Sequence, residues 1–81
     1  MSGLTFTQRT DMAGRARSAD AMLPGGYLVR VDASVRADRV ELALSGDVGY
    51  CCMAFTAAQA RSVAAELLIC ADARDTAQGR A

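Results

Sequence analysis

A period of two runs along the middle of the chain. Tyr27, Val29, Val31, Ala33 and Val35 fall on one side, and Leu28, Arg30, Asp32 and Ser34 on the other. Successive strand side chains point to opposite faces, so this pattern predicts a half-buried strand with one solvated face. The period resumes at Arg39, with Val40, Leu42 and Leu44 inward and Arg39, Glu41, Ala43 and Ser45 outward, and a third strand runs from Tyr50 to Phe55. The polar stretches "RAD" and "SGDVG" are the turns between them. Near the start, Leu4-Thr5-Phe6-Thr7 alternates as a short strand with Leu4 and Phe6 on one face. Between Thr10 and Leu23 the pattern leaves two readings open. Met12, Ala16, Ala19 and Leu23 lie at helical spacing behind Thr10 as a possible cap, but Gly14 and the arginines interrupt them, so the segment is a short helix or an irregular arm.

A helix signal follows the last strand. Thr56-Ala57-Ala58-Gln59 fits a capping box, and Ala60, Val63, Ala64, Leu67, Leu68 and Ala71 then recur at helical spacing with Cys70 on the flank. The helix is expected from about Thr56 to about Ala73, and the polar tail "RDTAQGRA" from residue 74 is expected to fray. The order gives an α+β fold: a small antiparallel meander of three to four strands, with a C-terminal helix packed on its apolar face. Residues 1–81 form a single domain.

Composition narrows the function. Slightly over half the residues are apolar, but many are alanine and only two Tyr and two Phe are present, so the core draws on few large side chains and a partner would help to close it. Nine arginines balance nine acids with no lysine or histidine. That neutral balance argues against a general nucleic-acid or membrane-surface binder and against an acidic DNA mimic. No leader-like segment or long apolar run occurs, and three cysteines cannot all pair within one chain, so the expectation is a cytoplasmic protein with reduced thiols.

Candidate chemistry is sparse. Pro24 and Gly25 suit a type II turn with positive φ at Gly25, and because the glycines of "LPGGY" lead into a strand rather than a helix, they do not form a phosphate loop. Adjacent Cys51 and Cys52 point to opposite sheet faces, so they do not converge on a metal. Cys51 is expected inside with Met53 and Phe55, and Cys52 outside with Tyr50 and Ala54. Without histidine the usual general base is missing, and cysteines as small core-filling groups are the expected reading, with a Cys51–Cys70 packing contact conceivable. Asp32, Asp38, Glu41 and Asp47 read as solvated charges. No catalytic residue, metal ligand or cofactor site is expected.

What remains is binding surface. Leu28, Arg30, Asp32, Arg39, Glu41 and Tyr50 make a mixed patch on the solvent face of the sheet, and Arg and Tyr are enriched at interface hot spots. Behind the helix stripe, Ala58, Ser62, Ala65, Ile69 and Ala73 carry too little charge for a solvated face, so the segment at 10–23, a second subunit or a partner covers them. Arg9, Arg15 and Arg17 are the only basic cluster, and the interleaved Asp11 and Asp20 disfavour nucleic-acid contact.

In style, a compact neutral chain ending in "FTAAQARSVAAELLICADA" resembles the small phage-borne anti-defence proteins, notably anti-CRISPR inhibitors. That family shares no motif, so no functional residue carries over. The resemblance implies a non-enzymatic inhibitor in the host cytoplasm, docking on a CRISPR effector complex or nuclease and blocking DNA binding or nuclease recruitment. The alternatives are a homodimeric accessory protein with Ile69 at its contact, or a nucleic-acid-binding regulator using Arg9, Arg15 and Arg17.

Overall fold

The computed structural model describes residues 3–9 and 13–79. Five strands come first: β1 (Thr7–Arg9), β2 (Arg15–Leu23), β3 (Tyr27–Ser34), β4 (Val40–Gly46) and β5 (Gly49–Phe55), followed by the helix α1 (Ala57–Gly79). The strands form one antiparallel sheet in chain order. The fold is α+β as the pattern predicts, with five strands rather than three or four.

The added strand is β2, in the segment expected to be a helix or an irregular arm. It pairs with β3 from Arg15↔Ser34 to Leu23↔Tyr27, with a bulge between Arg15 and Arg17. Its period of two is disguised because small alanines occupy one face and Ser18, Asp20 and Met22 the other. Ala19 and Ala21 are buried, paired with Val31 and Val29 of β3. The proposed cap Thr10 and the periodic Met12 lie outside the described residues. The first strand is also displaced: β1 pairs Thr7 with Asp20 and Arg9 with Ser18, while Leu4 and Phe6 precede the ladder and are exposed.

Within the ladder, the register of β3, β4 and β5 matches the expected face assignments, while Val35, expected on the apolar side, lies beyond β3 and is exposed. Val31 pairs with Leu42, which pairs with Met53, and Val29, Leu44 and Cys51 line up beside them on the apolar face. Asp32, Glu41 and Ala54 form the corresponding row on the polar face. Gly25 has φ of 90°, the positive value expected there, and Gly26 has 85°. At the same end of the sheet, beside the β4–β5 hairpin, the Tyr27 ring lies over Gly46, so closely that a Cβ there would sit 2.5 Å from Cδ1.

The helix begins where the capping box places it. The Gln59 amide donates to Thr56 Oγ1 at 3.1 Å, and the Thr56 amide donates to Gln59 Oε1 at 2.9 Å. A third group joins them, because the Ala57 amide donates to Asp38 Oδ1 at 2.8 Å. Asp38 is held in place by its own loop, in which Ser34 Oγ accepts from the Arg36 and Ala37 amides at 3.2 and 3.1 Å. The helix runs past Ala73 to Gly79, and residue 74 onward is helical where fraying was expected.

Anchored at that end, α1 meets the sheet mainly along β5 and then stands away from it. None of its residues is buried. Among the described residues the buried apolar side chains are Ala19, Ala21 and Ala43, a far smaller core than the sequence pattern implies. The radius of gyration is 14.7 Å, against about 11.7 Å for a compact domain of this length.

Candidate functional site

Two surfaces of different chemistry flank the sheet. On the polar face Ser18, 1% exposed, donates from Oγ to Oδ1 of Asp32, which is 8% exposed. Arg15 Nε stands 3.5 Å from the other oxygen of that carboxylate, Oδ2. Asp32 is thus a buried, hydrogen-bonded group and not the solvated charge its strand position predicts. Beside it Arg39 Nε reaches Glu41 Oε2 at 2.6 Å. Arg15, Asp32, Arg39 and Glu41 line a shallow polar cleft of about 240 Å³ with Gly14 and Ser34.

The other members of the expected patch lie along the same face. Leu28 and Tyr50 both flank Ser45 near one end, and Arg30 lies opposite Ala43, with its Nε buried and without a hydrogen-bond partner. The Tyr50 hydroxyl is pushed above its ordinary value of 10.0, foremost by the neighbouring Cys52 thiol, with Glu41 adding and Arg30 opposing. The seventh residue, Ile69, is exposed on α1, away from this patch.

The basic cluster is divided between the sheet faces, with Arg9 and Arg15 on the polar side and Arg17 on the other. Arg9 Nη1 pairs with Asp20 at 3.5 Å, Arg15 with Asp32, and Arg17 donates to Gln8 Oε1 at 3.0 Å. The bulge sends Arg15 and Arg17 to opposite faces of the sheet. Cys51 and Cys52 likewise oppose each other, paired with Leu44 and Ala43, but both are exposed, so Cys51 does not fill a core within the single chain. Cys70 is also exposed, its thiol 3.8 Å from Glu66 Oε2. Among the described residues no group of three or more His, Cys, Asp or Glu is placed to hold a metal ion, and no helix is long and apolar enough to cross a membrane.

The second surface is the crevice between sheet and helix. Val31, Val40, Leu42 and Phe55 form its sheet wall, and Ala60, Val63, Ala64 and Leu67 its helix wall, around about 190 Å³. No charged side chain lines it. The sequence identifies these same residues as core, but the structure leaves the sheet wall half-buried and the helix wall largely open, with Leu67 63% exposed. Leu44 and Met53 continue the uncovered apolar face across β4 and β5. The segment proposed to cover the far side of the helix is instead β2, so Ile69 and its small neighbours have no cover either. The sequence signal for this was apolar side chains on more than one side of α1, the stripe through Val63 and Leu67 and, behind it, Ile69 among small residues.

The fold and this crevice define the class, a small α+β protein with an unclosed apolar face. Comparison with protein-family models, with curated proteins and with solved structures gives no match.

Proposed function

We propose that this chain is a non-catalytic protein-interaction module whose working surface is the apolar crevice between the sheet and α1. The observation that carries this reading is the uncovered helix: 23 residues, none of them buried, rising from a sheet whose apolar face is also open. Exposed apolar surface on this scale marks a place where another polypeptide sits. On the polar face, by contrast, Arg9, Arg15 and Arg39 already pair with acids of the same chain, which leaves less charge there to attract a partner.

The test is co-purification from the cell of origin, with tagged and untagged copies expressed together. The wild type retains a polypeptide, its own copy or another, in stoichiometric amount. Val63→Asp loses it, and Arg39→Glu keeps it. Retention of nothing by the wild type refutes the reading, and loss with Arg39→Glu but not Val63→Asp moves the contact to the polar face. The resemblance to anti-CRISPR inhibitors offers one class of bound polypeptide, a CRISPR effector complex or nuclease. Mixing with a purified effector tests that form, and no co-migration together with no inhibition removes it.

A further inference from the structure

We infer that the polypeptide completing the crevice is a second copy of this chain, in a symmetric dimer that covers both the apolar sheet face and α1. The inference rests on the reading of the crevice as an interaction surface and names its occupant.

Area is the first argument. The chain exposes 6301 Å², whereas a folded monomer of 8.5 kDa exposes about 4,650 Å² by the scaling for single-chain proteins. The excess is about 1,650 Å² per chain. Two copies each burying that excess would remove about 3,300 Å² in total, inside the range of about 2,000–5,000 Å² for obligate homodimers and well above a transient contact.

Self-complementarity is the second. Each chain carries both halves of an incomplete core: an apolar sheet face with Leu44 and Met53 uncovered, and an apolar helix with Leu67, Leu68 and Ile69 uncovered. In a two-fold contact, residue i of one copy meets residue j of the other and j meets i, so one interface closes both surfaces at once. The helix is built to reach. Its 23 residues span about 34 Å, while a five-stranded sheet is only about 19 Å across. Its apolar residues extend past those lining the crevice.

Charge is the third. The formal net charge is zero, so two copies meet without long-range repulsion. Nor does the crevice lining include a charged group that would select a charged partner; Arg17, on the same sheet face, is engaged by Gln8.

Two measurements on the full chain test this. Sedimentation equilibrium from about 1 to 100 μM, the range in which homodimers commonly assemble, gives a mass of about 17 kDa, twice the 8.5 kDa of one chain. Leu67→Asp weakens self-association by about 100-fold or more, the effect of losing one buried leucine from each of the two copies. Because that variant can fail to fold, wild-type chains are also mixed in labelled and unlabelled form for isotope-filtered NMR. Intermolecular NOEs then connect Leu67 and Leu68 methyls with Leu44 and Met53 methyls. A single 8.5 kDa species at 100 μM overturns the inference, as does a dimer whose intermolecular NOEs involve only polar-face residues. If the chain is monomeric yet retains a foreign polypeptide that Val63→Asp releases, the interaction reading survives without the dimer; if it retains none, both fall.

Discussion

Replacing Asp32 with alanine removes the acceptor of the most deeply buried polar group in the described chain. Ser18 is 1% exposed, so its hydroxyl cannot turn to water, and leaving it unpaired costs about 1–3 kcal/mol. Arg15 loses its partner too, but its side chain is 36% exposed and stands 3.5 Å away, so solvent screening limits that contribution to about 0.5 kcal/mol. Asp32→Ala should therefore destabilise by about 2–3 kcal/mol. Ser18→Ala leaves Asp32 its contact with Arg15 and should cost about 1–2 kcal/mol. Because the two changes remove one shared interaction, the double variant should cost less than their sum by about 1–2 kcal/mol. Urea unfolding followed by circular dichroism reads all four chains, at one fixed concentration because an associating protein's midpoint depends on it. Additivity within about 0.5 kcal/mol would refute the coupling, and a harmless Asp32→Ala would refute the burial itself.

Two further outcomes follow from local geometry. Thr56→Ala removes one side of the capping box and should cost about 1 kcal/mol, with α1 retained because Asp38 still accepts the Ala57 amide; combining it with Asp38→Ala should lower the helical signal further, and unchanged melting of both would contradict the cap. Gly46→Ala drives a methyl into the Tyr27 ring, 2.5 and 2.7 Å from two of its carbons, and should cost about 1–3 kcal/mol; Tyr27→Ser in the same chain should remove that penalty, and equal stability of Gly46→Ala and wild type would contradict the packing.

Features set by near neighbours could be read directly from the chain. Thr56 and Gln59 lie three residues apart, so the capping box follows from local geometry, and the alternation through β3, β4 and β5 fixed which side chains share a face. Gly25 took the φ that its place after Pro24 requires. What failed depended on long-range partners or on small side chains. The strand β2 was hidden because Ala19 and Ala21 carry little hydrophobic signal, although they supply most of the buried apolar residues. Asp32 looked solvated because strand periodicity cannot show that Ser18 and Arg15 arrive from another strand. The helix outran its expected end because polarity alone does not stop a helix, and no glycine or proline intervenes between Ala73 and Gly79. The crevice residues were identified correctly as apolar, but only the structure shows that one chain does not cover them.

Hydrogen exchange along α1, measured as chain concentration is varied, most directly tests whether a second copy covers this surface. A helix without tertiary cover exchanges quickly even at 23 residues, whereas one buried in a dimer is protected. Protection of residues 60–71 should rise with concentration, and Leu67→Asp should shift that rise to higher concentration. Rapid exchange through residues 60–71 that does not depend on concentration would contradict it.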